Sequence, residues 1–111
     1  MASGDRTESR LGGPTQLGTS TTTIATAASG HTYVIKQVVI TNTDTVERTF
    51  TLSIGSAATA ANRVIDTMPI GANDTIIWDT ALVLAATETL EGLADTASKV
   101  NVTAIGWDKT N

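Results

Sequence analysis

The stretch Glu47-Arg-Thr-Phe-Thr-Leu-Ser-Ile54 alternates without a break, with Phe50, Leu52 and Ile54 on one side and Thr49, Thr51 and Ser53 on the other. Successive side chains of a strand point to opposite faces, so this pattern reads as a half-buried strand, one face in a core and one in water. Just upstream, His31-Thr-Tyr-Val-Ile-Lys-Gln-Val-Val-Ile-Thr41 is longer and rich in β-branched residues, which suit a pleated surface. Between them Asn42-Thr43-Asp44 signals a turn, because short Asn and Asp side chains bond backbone two residues on. The two segments are expected to pair as an antiparallel hairpin.

Working outward, the same reading repeats. Thr21 to Thr26 is a weak strand, followed by a turn at Ala28-Ser29-Gly30. Gly55 to Ala61 is a loop of small residues, Asn62 to Pro69 a strand, and Gly71-Ala-Asn-Asp74 a turn. Thr75 to Leu84 is strand-like, with Ile76 and Trp78 on one side and Ile77 and Asp79 on the other. Glu88 to Ala94 and Lys99 to Trp107 form a second expected hairpin around Asp95-Thr-Ala-Ser98. Roughly seven or eight short strands at near-regular spacing predict an all-β fold, an antiparallel two-sheet sandwich or a jelly-roll-like barrel. Thr80 to Leu93, rich in Ala, Leu and Glu, leaves a helical alternative open.

Residues 1–20 differ in composition: Gly, Ser, Thr and Pro14 with mixed charges and few apolar residues. They are expected to form an extended N-terminal arm ahead of a sandwich domain at 21–111, held by something outside its own domain. Leu11, Pro14 and Leu17 are its candidate anchors. The strand Tyr33 to Ile40 is unusual in that both alternating sets are largely apolar: Tyr33, Ile35 and Val39 on one face, Val34, Val38 and Ile40 on the other. One face is expected to fill the core. The other calls for a neighbouring subunit, or for the arm or a loop of the same chain.

Composition narrows the function classes. In 111 residues, 41% are apolar and only 4% aromatic, so Val, Ile, Leu and Ala must fill a single core. The net charge of −4, without any cluster of Lys and Arg, argues against nucleic acid, whose phosphates need a basic face. No apolar run approaches the roughly 18 residues of a membrane-spanning helix. The polar start Met1-Ala-Ser-Gly-Asp-Arg6 is unlike a secretory signal, and cysteine is absent. Synthesis in a cytoplasm is expected, with any later exposure arising by assembly.

A nucleophilic site would have to use the lone histidine, His31, which stands at a turn-to-strand junction and reads as a rim residue. Asp74 with Asp79, and Glu88 with Glu91, are the carboxylate pairs to weigh for glycoside chemistry or Ca²⁺, but neither has a metal-loop spacing. Gly12-Gly13-Pro14 lacks the lysine and helix of a phosphate loop. Trp78 and Trp107, each followed by Asp, could stack on a sugar ring, although Trp78 alternates with Ile76 and is expected to face the core. No catalytic, cofactor-binding or metal-binding residues are therefore expected.

Four segments together carry a family likeness: Arg10-Leu-Gly-Gly-Pro-Thr-Gln-Leu17, His31 to Asn42, Thr51-Leu-Ser-Ile-Gly55 and Val100-Asn-Val-Thr-Ala-Ile-Gly106. They resemble small virion structural proteins of tailed bacteriophages, over about Leu11 to Gly106. The likeness departs at Gly13, an extra glycine before Pro14, and at Ile24 to Gly30, where the usual lead-in to the strand is replaced. The resemblance implies a β-sandwich without enzymatic activity, present in many copies on a virion. Such proteins occur on heads and on tails; a head decoration (cement) protein is the leading expectation here, bound to the major capsid protein or other virion subunits as a homo-oligomer with a trimer favoured. The candidate interface is Leu11, Pro14 and Leu17 of the arm, one face of the strand at Tyr33, Ile35 and Val39, and Trp107. A minor tail or tail-tip protein, and a carbohydrate-binding module for host attachment, are the alternatives.

Overall fold

The computed structural model describes residues 6–111. Its strands follow the alternation: β1 (Arg6–Gln16), β2 (Thr22–Thr26), β3 (His31–Asn42), β4 (Arg48–Ile54), β5 (Arg63–Ile70), β6 (Thr75–Leu84), β7 (Thr89–Ala94) and β8 (Val100–Thr110). One 3₁₀ turn, Ala60–Asn62, precedes β5. The strands form two four-stranded antiparallel sheets, sheet A in the order β1-β8-β3-β6 and sheet B in the order β2-β7-β4-β5. Phe50, Leu52, Ile35, Val38, Ile40, Leu84, Leu90, Val100 and Val102 are buried between them. The sandwich expected from sequence is the fold.

Its winding differs from expectation. Among consecutive strands only β4 and β5 are neighbours in a sheet; every other connection crosses from one sheet to the other. The eight strands thus wind as a double-sheet jelly roll. The hairpins expected between His31–Thr41 and Glu47–Ile54, and around Asp95–Ser98, are therefore arches between sheets. Asn42 shows why at the first of them. Its Oδ1 accepts the Asp44 amide at 2.9 Å, the expected Asx turn. Its amide nitrogen meanwhile lies 2.9 Å from the Val46 oxygen and 3.1 Å from those of Ile70 and Gly71, which ties the end of β3 to sheet B. The helix weighed for Thr80 to Leu93 is absent: that span is β6, a turn with Thr87 at φ 70°, and β7.

The polar composition of residues 1–20 predicts an extended arm held by something outside its own domain, and here the structure differs most. Residues 6–16 are β1, the edge strand of sheet A, laddered to β8 from Arg6↔Lys109 to Gln16↔Asn101. Leu17 is fully buried in the core, and its backbone bonds Val100 and Ser98. Composition misleads because an edge strand with one face in water needs few apolar residues, whereas its backbone pairs whatever the side chains. Gly12 and Gly13 permit this course: a Cβ at Gly12 would overlap the Ile24 carbonyl oxygen, and Gly13, at φ 90°, passes against Val102. Residues 1–5 of the expected arm lie outside the described residues.

The doubly apolar strand also resolves. β3 pairs with both neighbours through a register shift between Ile35 and Gln37, a β-bulge at Lys36. A bulge adds one residue and so exchanges the faces beyond it. Tyr33 and Ile35 face inward before it, Val38, Ile40 and Asn42 after it; Val34, Gln37, Val39 and Thr41 face out. Each alternating set read from the sequence is a mixture of the two faces.

Candidate assembly surface

The outer face of sheet A collects the apolar residues that the core does not use. Register places them in rows across the strands. Trp107, Val34 and Val83 stand side by side, as do Thr103, Val39 and Ile77, with Ile105, Gln37 and Asp79 between. Ile77 is 60% exposed, Val83 54% and Ile105 36%; Val34, Val39 and Trp107 are half-buried. Contiguous apolar patches of this kind mark contact surfaces more often than bare solvent faces.

Polar groups divide the band. Gln37 Nε2 donates to Asp79 Oδ1 at 3.2 Å in its middle. At the β1 side, Glu8 lies opposite Trp107 and Arg10 opposite Ile105. The Arg6 guanidinium sits over the Trp107 ring at 5.3 Å, a cation–π contact. Where the bulge lifts Lys36, an open cleft of about 540 Å³ runs between Glu8, Lys36, Gln37, Asp79 and Trp107.

The interface residues expected from sequence separate into three groups. Val39 and Trp107 lie on this outer face, and Pro14 is exposed on β1. Leu11 and Tyr33 pack partly against the core. Ile35 and Leu17 are fully buried and cannot touch a neighbour, nor can Val38 and Ile40 of the opposite set. Ile77, Val83 and Ile105 were not singled out, although β6 carries a signal: it too is apolar on both alternating sets. Trp78 packs at the edge of the core, as its spacing from Ile76 implies.

The candidate chemical groups are each engaged locally. His31 Nδ1 lies 2.6 Å from Asp108 Oδ1, and Asp108 is the one side chain bonded to it among the described residues. Asp74 accepts the Thr75 amide at 2.9 Å, Glu88 the Ala85 amide at 2.7 Å, and Glu91 the Thr89 hydroxyl. Among the described residues no three His, Asp or Glu side chains gather where they could hold a metal ion. Among these described residues no helix is long and apolar enough to cross a membrane.

Similar solved structures include the following two. One is a chain of the Bacillus endospore appendages, a family of disulfide-linked pili, with a TM-score of 0.55 and 12% identity over 98% of this chain and 91% of that one. It shares the fold. The other, a pentameric capsid protein isolated from metagenomic phage sequences, aligns at a TM-score of 0.39 and 13% identity, over 86% of this chain and 59% of that one, too low to carry an argument. No family model matches the sequence, nor does any curated protein.

Proposed function

We propose that this chain is a non-enzymatic structural subunit of a phage virion, a capsid decoration protein that seats the outer face of sheet A on the shell. The observation that carries the reading is the apolar band of Trp107, Val34, Val83, Ile105, Val39 and Ile77, set across one sheet face, flanked by Arg10 and Glu8 and divided by Asp79. The sequence likeness to virion structural proteins supports it. The winding alone does not, since jelly rolls serve capsid and lectin domains alike. With β1 built into the sandwich, attachment falls to this face in place of an arm. Modest contacts per copy then add up through the repeat of the lattice.

Co-sedimentation with particles lacking the protein tests this. Ile105→Glu places a carboxylate in the band, beside Arg10, without entering the core; particle binding should fall at least about tenfold while thermal unfolding stays unchanged. Unaltered binding by this variant, or none by the parent, rules the reading out.

The cleft beside Trp107 favours a second reading, a carbohydrate-binding module, because an outward indole stands next to the polar groups of Glu8, Lys36, Gln37 and Asp79. Arg6 already covers the ring, which weighs against it. Sugar binding measured by calorimetry and lost in Trp107→Ala would establish it.

A further inference from the structure

The four sheet edges are unequally protected. β5 carries Pro69 and a left-handed residue, Thr67 at φ 51°, whose amide is taken by the Thr51 hydroxyl at 3.0 Å. β1 carries Pro14, two register shifts and the charges of Arg6, Glu8 and Arg10. β2 is five residues long. β6 has the fewest of these devices: ten residues without Pro or Gly, one charge at Asp79, one register shift opposite the Lys36 bulge, exposed Ile77 and Val83, and, among the described residues, a ladder only to β3. Proteins ordinarily blunt such an edge, because its free N–H and C=O groups invite another strand.

We infer that β6 pairs antiparallel with β6 of a second copy about a twofold axis, joining two copies of sheet A into one eight-stranded sheet. The sequence of the strand selects both the occupant and the register. Directly opposed residues of an antiparallel pair share a face, so outward residues must meet outward ones. With Thr80 opposite Thr80 of the second copy, Ile77 meets Val83, Asp79 meets Ala81, Trp78 meets Leu82, and Ile76 meets Leu84, each pair formed twice. This register covers nearly the whole strand. It also shields Ile76, Trp78 and Leu82, which the monomer leaves only partly buried. Shifting the axis to Asp79 sets carboxylate against carboxylate, which like-charge repulsion opposes. Shifting it to Ala81 leaves Ile77 beyond the other strand's end. The contact is isologous, so it closes at two copies, in place of the trimer favoured from sequence.

The inference rests on the reading of this chain as a repeated structural subunit, since pairing merges two apolar bands into one docking face. Analytical ultracentrifugation of the full chain tests it. The parent should sediment as a dimer. Ala81→Asp, opposite Asp79 of the second copy, should raise the dimer dissociation constant about tenfold or more, and Ala81→Lys at the same point should lower it. Ala81 is exposed, so both variants should fold, and the opposite signs separate pairing from a general effect on stability. A monomer, a trimer, or a dissociation constant indifferent to the charge at position 81 overturns the contact. The two readings fail separately. A dimer split by Ala81→Asp that never binds particles retains the contact and ends the virion reading; a particle-bound monomer does the reverse.

Discussion

The side-chain amide of Asn42 lies 3.1 Å from the main-chain oxygen of Ile70, bridging the end of sheet A to the last residue of β5 in sheet B. Asn42 is fully buried, and its amide also faces the oxygens of Val46 and Gly71. Removing it strands buried carbonyls whose desolvation is then uncompensated. Asn42→Ala should cost about 2–4 kcal/mol in denaturant unfolding. Asn42→Asp should be worse at neutral pH, where a carboxylate would face carbonyl oxygens, and should recover as acid protonates it. A mild effect in both variants would mean that water replaces the amide.

Gly106 sits in β8 between β1 and β3, and a Cβ there would overlap the carbonyl oxygen of Val34. Backbone in the middle of a sheet cannot swing aside. Gly106→Ala should therefore destabilise by about 3 kcal/mol or more. Gly30→Ala is the control. Nothing lies within 4 Å of a Cβ there, and only its φ of 77° resists a side chain. Its cost should be about 1 kcal/mol. Comparable losses in the two variants would contradict this packing.

Deleting residues 1–16 should lower the thermal midpoint by roughly 10 °C or more, because it strips the ladder from β8. Leu17→Ala alone should cost about 2–5 kcal/mol, as large-to-small changes in a core do. A truncated chain that melts like the parent would restore the reading of this segment as an extended arm held outside the domain.

Asp44 Oδ2 receives Arg48 Nε at 2.9 Å and Nη2 at 2.8 Å, and its Oδ1 receives the Thr45 amide at 2.7 Å. The hydrogen bond from Arg48, more than the Thr45 amide, holds this carboxyl below its ordinary value of 3.8. A folded pKa below the unfolded one gives stability that is complete above the ordinary carboxylate range and is lost as pH falls through it toward the depressed value. Asp44→Asn should flatten that part of the acid limb and leave the stability difference constant above it. Identical acid slopes in the two proteins would count against the assignment.

Strand positions were legible because alternation is local. Phe50 and Leu52 mark the side of β4 that faces the core, although the opposite side is not in water as expected, since Thr51 and Ser53 are buried; seven of the eight strands could be placed within a few residues. β1 was hidden because Arg6–Gln16 pairs through its backbone at an edge, where hydrophobic periodicity leaves little trace.

Alternation by itself determined an all-β sandwich, since extended strands leave a two-residue period in the side chains. Only the tertiary structure decided which sheet each strand joins and which apolar residues reach the surface. An arch and a hairpin can share one turn sequence, and the bulge at Lys36 exchanges inside and outside along β3 without altering its composition. Both are settled by pairing between residues far apart in the chain, which a local pattern does not record.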